Sequence, residues 1–252
     1  MAVTNKKSLS EAVKYTRSVL VFKKEPIDEQ KVKDCIHLAT LAVASSNIQL
    51  WEFHHIISPD SIKEIAAASF DQNGAKTAQR LVIVVARKDL WRKRMHANIS
   101  FLKSQFGNKS EAEYSTKDEF ALNYYKKIIP TIYTDFLLIL GGIKFIVFYI
   151  IGLFKFIYRH ARQSDMSIVA HKNAGLAAQN FMISMAALNF NTCLMEGFHS
   201  IRIKKILNIP SAAEINMIIG CVLSDEQGIY ENASEFLLRR SITKYKNLKL
   251  TN

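Results

Sequence analysis

"AHKNAGLAAQNFMISMAALNFNTCLMEGF", residues 170–198, is the stretch on which the reading of the fold turns. Its core, "NAGLAAQNFMISMAALNF" (173–190), is rich in small residues, and the spacing predicts a long helix. A small-residue stripe at helical spacing is a packing surface rather than a cofactor box, so this helix belongs at the centre of the molecule. "CLMEGF" (193–198) follows it, and Gly197, without a Cβ, allows the backbone to approach a flat ligand closely.

Toward the N-terminus, Ser8 stands three residues before Glu11 in "SLSEAVKYTRS". This capping-box pattern predicts a first helix ending near Arg17. Pro26 precedes "IDEQKVKDCIHLATLAVA", where Val32, Ile36, Ala39 and Val43 recur at helical spacing. "QLWEFHHIIS" alternates Trp51, Phe53, His55 and Ile57 and reads as a strand. "SPDSIKEIAAASF" reads as a short helix capped by Asp60 or Ser61. "LVIVVA" (81–86) is a continuous run suited to a strand buried on both faces. Residues 111–128 are polar and read as helical. Toward the C-terminus come a helix in "SIRIKKIL" before Pro210, a buried strand in "INMIIGCVL", and the basic tail "EFLLRRSITKYKNLKL". Helices outnumber strands and separate them, which gives an α+β or α/β layered fold with a small sheet between helices.

The 252 residues suffice for a sizeable core in one domain, and the net charge of +12 favours anionic partners. The basic residues are scattered, and no zinc-finger or RNP-like pattern occurs, so nucleic acid is not expected as a partner. Cys35, Cys193 and Cys221 lack CxxC spacing, which argues against a disulfide framework and for a reducing compartment. "MAVTNKKSLSEAVKYTRS" has no apolar run of signal-peptide length, and the expectation is a cytoplasmic protein. No metal site is expected either. His54 and His55 would point to opposite faces of a strand, and His96, His160, His171 and His199 have no HExxH spacing. "GGIK" lacks the pattern of a P-loop.

Three further stretches carry chemistry. In "TRSVLVF" (16–22), Arg17 offers a fork of donors that fits a phosphate and Ser18 adds a directional hydrogen bond, just ahead of apolar Val19. "ASSNIQLWEF" (44–53) sets Ser45, Ser46, Asn47 and Gln49, all neutral donors and acceptors, beside Trp51. "RRS" (239–241) supplies two adjacent guanidiniums. Taken singly, these read as a helix end, a loop and a basic tail.

In order and spacing, however, the chain resembles the flavin-dependent nitroreductase family from about residue 8 to residue 241. The family's Arg-Arg-Ser-hydrophobic-Arg-x-Phe motif is answered by residues 16–22, and its Pro-Ser-Ser-x-Asn-x-Gln-Pro-Trp motif by residues 43–51. Its hydrophobic-x-Glu-Gly-Phe turn is answered by Leu194, Met195, Glu196, Gly197 and Phe198. The resemblance implies a nitroreductase-like α+β three-layer sandwich, with a small, mostly antiparallel sheet flanked by helices. Long central helices would pair across a homodimer with FMN at the interface. Residues 1–252 would form a single FMN-binding domain. Arg17 and Ser18, with Val19 beside them, would face the FMN phosphate, helped by Arg239 or Arg240. Ser45, Ser46, Asn47 and Gln49 would approach the flavin ring or ribityl chain from the partner subunit. The backbone at Met195, Glu196 and Gly197 would follow the N5 and O4 edge.

The chain departs from the motifs at Thr16 and Leu20, where the family has cations, and at Val43 and Leu50, where it has proline. Losing cations weakens charge-assisted binding. Lys76 and Arg80 are candidates to replace the one near the ring. The region 130–165 fits least well. Within it, "FLLILGGIKFIVFYIIGLF" (136–154) has bilayer-spanning length and one charge, Lys144. A single crossing would separate Arg17 and Asn47 from Glu196 and Arg239. Two readings stay open: a helical hairpin forming a lid over the active site, or peripheral contact with a membrane surface.

The implied activity is that of an FMN-dependent oxidoreductase. NADH or NADPH would deliver hydride to flavin N5 and leave, and an electron-poor small molecule, nitroaromatic- or quinone-like, would then accept electrons in a ping-pong cycle. No side chain would serve as a catalytic group. The alternative is a catalytically weakened flavoprotein-like scaffold acting as a membrane-associated binding or regulatory protein.

Overall fold

A computed structural model of the chain describes residues 6–16, 26–107, 109–134 and 163–223. Four strands, β1 (Trp51–Ile56), β2 (Arg80–Ala86), β3 (Phe190–Met195) and β4 (Glu214–Leu223), form one sheet in the order β1-β2-β4-β3. Every pairing is antiparallel. The helices are α1 (Leu9–Tyr15), α2 (Glu29–Thr40), α3 (Pro59–Ala68), the short α4 (Asn73–Lys76) and α5 (Trp91–Gln105). They continue with α6 (Thr116–Asn123), α7 (Ile129–Tyr133), α8 (Gln163–Ala187) and α9 (Ser200–Ile206).

The sheet has a packed layer on each face. On β2, Val82, Val84 and Ala86 enter the core shared with α2 and α8, whereas Leu81, Ile83 and Val85 enter the core shared with α3 and α9. That is the strand buried on both faces that its apolar run predicts. α8 is the central helix. Met166, Ala170, Ala174, Ala177, Phe181 and Met185 recur every three or four residues and are buried. Alanine at successive turns lets α8 lie close to the sheet and to α2, and Phe181 fills the remaining depth. The fold is α+β, as expected.

Local signals are realised with two adjustments. Ser8 and Glu11 form both halves of the capping box on α1. The cap of α3 is Ser58 rather than Asp60 or Ser61, because Pro59 takes the first helical position, where its missing N–H costs nothing. The polar stretch from 111 to 128 is not one helix. It contains a 3₁₀ turn at Glu111–Glu113, α6, and a π-helical turn at Tyr124–Ile128 that joins α7 at Pro130. A bulge in the β2–β4 ladder falls at Asn216, so Ile215 and Met217 face opposite core layers.

The apolar run 136–154 lies outside the described residues. Among the described residues, no helix is long and apolar enough to cross a membrane.

Candidate functional site

The polar loop predicted to meet a ligand runs from Ser45 to Gln49 and feeds directly into β1. It is a distorted 3₁₀ turn in which Ser46, Asn47 and Gln49 have φ of 56°, 49° and 51°. Left-handed backbone costs a non-glycine residue roughly 1–2 kcal/mol, with asparagine the best tolerated. Three such residues in four persist only because neighbours fix them.

Those neighbours come from three helical segments. Ser46 Oγ shares a hydrogen bond of 2.5 Å with the Tyr124 hydroxyl, and the Tyr125 hydroxyl donates to Ser46 O at 2.9 Å. Asn98 on α5 donates from Nδ2 to Asn47 O at 2.8 Å. Asn173 on α8 accepts the Ser45 N–H on Oδ1 at 3.3 Å. Gln49 Nε2 donates to Asn47 Oδ1 at 3.0 Å, which orients both carboxamides. The π turn sets Tyr124 and Tyr125 edge to face, with ring centroids 5.4 Å apart, and burial raises the Tyr125 hydroxyl pKa above its ordinary value. Tyr125 therefore remains a neutral donor. None of these ties was evident from sequence. Ile48 and Leu50 are fully buried, which pins the loop from below, while Ser45 and Asn47 stay exposed.

The second predicted element, Met195-Glu196-Gly197, closes β3 on the opposite edge of the sheet. Met195 is buried, whereas Glu196 and Gly197 are exposed. The turn is held by the segment between α3 and α4. Gln72 Nε2 donates to Gly197 O and, at 3.0 Å, to Ser69 O, and His199 N–H donates to Ala68 O at 2.8 Å. A Cβ on Gly197 would stand 2.9 Å from Gln72 Nε2. The close approach at this glycine is thus to a side chain of the chain itself. Gly74 is tighter still, since its Cβ would meet Cys193 Sγ at 2.6 Å.

The two elements are not brought together within one chain. β1 and β3 are the edge strands, three strand spacings or about 14 Å apart. Of the other predicted site residues, Arg17, Ser18, Val19, Arg239 and Arg240 lie outside the described residues. Lys76 ends α4 and Arg80 begins β2, where the Arg80 guanidinium donates to the Gln79 carbonyl at 2.8 Å.

Potential nucleophiles are quiet. Cys35, Cys193 and Cys221 are free and buried, and burial pushes the Cys35 thiol up to about 12. His54 Nε2 lies 2.8 Å from Glu52 Oε1, and no cluster of metal-ligating side chains occurs among the described residues. What remains is an exposed, rigid loop of hydroxyls and carboxamides and an exposed backbone turn. Beside Ser45, the buried Asn173 Nδ2 has no hydrogen-bond partner among the described residues. This donor set fits a flat, polar-edged cofactor such as a flavin, which needs hydrogen bonds along its edge and no reactive side chain.

Comparison with known proteins gives the arrangement a context. The family model described as "Nitroreductase family" matches residues 13–221. A nitroreductase family protein from Streptococcus pneumoniae TIGR4 superposes with a TM-score of 0.59 at 17% identity, covering 96% of each chain. A protein from Exiguobacterium sibiricum 255-15, described as a nitroreductase and solved in complex with FMN, gives 0.59 at 17% identity over 86% of this chain and 89% of its own. CLA-ER, an enone reductase of gut-bacterial fatty acid saturation metabolism, gives 0.65 at 12% identity over 90% and 93% of the two chains. At these identities the likeness is one of fold. No curated protein matched the sequence.

Proposed function

The chain belongs to the nitroreductase family, and from that premise we propose that it is an FMN-dependent oxidoreductase. It would carry electrons from NADH or NADPH to an electron-poor acceptor, nitroaromatic- or quinone-like, in a ping-pong cycle. The observation that carries this reading is the strained Ser45–Gln49 loop, held by Tyr124, Tyr125, Asn98 and Asn173 with Ser45 and Asn47 left exposed. A loop held that way at a cost is a binding surface prepared in advance.

Bound FMN would supply the redox chemistry, accepting hydride at N5 and passing electrons onward. The chain's own residues bind and orient. Ser45, Ser46, Asn47 and Gln49 would offer hydrogen bonds to the ring or ribityl chain, and the backbone from Met195 to Gly197 would line the ring's other edge. Arg17 and Ser18, with Arg239 or Arg240, would hold the phosphate. Thr16 and Leu20 put fewer cations there than the family motif does, so phosphate affinity falls on those that remain.

The separation of loop and turn on opposite sheet edges supports a homodimer, in which the loop of one protomer completes the site of the other. The exposed apolar side chains Leu9, Val13, Leu38, Leu41 and Leu176 sit on α1, α2 and α8 or just beyond α2. α1 and α2 each pack against α8, as an interface on the α8 side requires.

Steady-state rates at several fixed concentrations of menadione test the cycle directly. With NADPH or NADH varied, parallel double-reciprocal lines are expected. Intersecting lines would show that donor and acceptor occupy the protein together.

A further inference from the structure

Arg94 and Asn98 lie one helical turn apart on α5, so both side chains leave the same face. Asn98 reaches Asn47, as described. Arg94 enters the adjoining cleft, of about 260 Å³, which it lines with Gln49, Glu52, Ile36, Trp51 and Phe53. Its Nε is sealed from solvent and has no hydrogen-bond partner among the described residues.

The cleft holds one carboxylate, and it is committed elsewhere. Glu52 places one oxygen 2.8 Å from His54 Nε2 and the other on the Arg87 guanidinium. Arg87, which is buried, is neutralised on both sides. It is gripped by Glu52 and, through three hydrogen bonds of 2.9–3.2 Å, by Asp89. Arg94 has no such grip. Only the Nε of Arg94 is withdrawn from water, the residue as a whole being half-buried, so its terminal nitrogens carry a charge with no anionic partner among the described residues, open to an arriving anion. Beside it stand the half-buried Phe53, the carboxamide of Gln49 and the little of Trp51 that the core leaves uncovered. The volume suits a single ring rather than a polycycle.

We propose that Arg94 is a specificity-determining residue that binds the carboxylate of a single-ring aromatic acid, with the ring against Phe53. The proposal rests on reading the Ser45–Gln49 loop as flavin-facing, which makes the bound acid an electron acceptor. A planar fork of donors matches a carboxylate in two places at once, which lysine cannot do.

Calorimetric titration tests it, on protein as purified and after FMN addition. The probes are 4-nitrobenzoate and the neutral, nearly isosteric 4-nitrobenzamide. Wild-type protein is expected to bind the acid at least about tenfold more tightly than the amide, the scale of a charge-assisted hydrogen bond. Arg94→Gln should abolish that preference while leaving amide affinity within about twofold, and Arg94→Lys should keep part of it. Equal affinities in the wild type, or an Arg94→Gln change that weakens both probes alike, would overturn the proposal. So would a variant altered only in dimer dissociation, which would assign Arg94 to a carboxylate of the second copy. Because the titration needs no turnover, it separates the two readings. Protein that discriminates through Arg94 but never takes up FMN contradicts the flavin reading, whereas flavin-loaded protein without discrimination contradicts this one.

Discussion

Asn173, in the middle of α8, accepts the backbone N–H of Ser45 at 3.3 Å, and its own Nδ2 is buried with no partner among the described residues. The central helix thus both packs the core and sets the position of the loop ahead of β1. Asn173→Ala removes the tie. The expected cost is about 1 kcal/mol of stability, the usual net worth of one hydrogen bond, read from the denaturant midpoint. FMN should bind about fivefold more weakly if the loop contributes one comparable contact. Unchanged FMN affinity alongside the stability loss would restrict Asn173 to a structural role.

Gly74 and Gly197 separate packing from turn geometry. Gly74→Ala drives a methyl group into Cys193 and Met195, at 2.6 and 3.2 Å from their sulfurs, inside a dense core. Overpacking of this kind costs roughly 1–3 kcal/mol. Gly197→Ala meets only the movable end of Gln72. It should therefore leave the melting temperature close to wild type while displacing Gln72 from the Gly197 carbonyl. Thermal melts of the two variants check the order, and a larger loss at Gly197 would contradict it.

Stability should fall with acid through two groups. Burial holds the His55 pKa below its ordinary value of 6.5, so the unfolded chain binds its proton first. Stability from neutral His55 is present above pH 6.5 and is lost as pH falls through the lower folded-state value. Glu214 adds a second loss. Burial pushes its pKa up, but hydrogen bonds from Ser167 at 2.5 Å and His171 at 2.9 Å, with the charges of His171 and Lys88, outweigh that and leave it below 4.5. Its contribution is present above pH 4.5 and disappears below. His55→Gln should reduce the first loss and Glu214→Gln the second, in denaturation midpoints measured from pH 7 to pH 3. A first loss that survives in His55→Gln would assign it to another group.

Much of the scaffold was legible in the sequence, because α8 and β2 have periodic or continuous apolar patterns that admit one reading. α5 was not. Met95 is its one buried residue, and the charges at Arg92, Lys93 and Arg94 mask the period of Trp91, Met95, Ile99 and Leu102. β3 was hidden because its buried positions include Asn191, a residue depleted in strands, and because the helical reading ran on through Phe190, its first residue. At the site, the composition of residues 45–49 was visible, but what holds them was not. Tyr124 lies 78 residues from Ser46 and Asn173 lies 128 from Ser45, distances that only the fold closes.

The central claim is that this chain binds a flavin and turns it over. The visible spectrum of the protein, purified without added flavin and recorded before and after anaerobic NADH and NADPH, tests it most directly. The account predicts the absorbance of oxidised flavin, present on purification or after FMN addition, and its bleaching by at least one nucleotide. Protein that stays colourless after FMN addition would contradict it and leave a nitroreductase fold that serves as a scaffold.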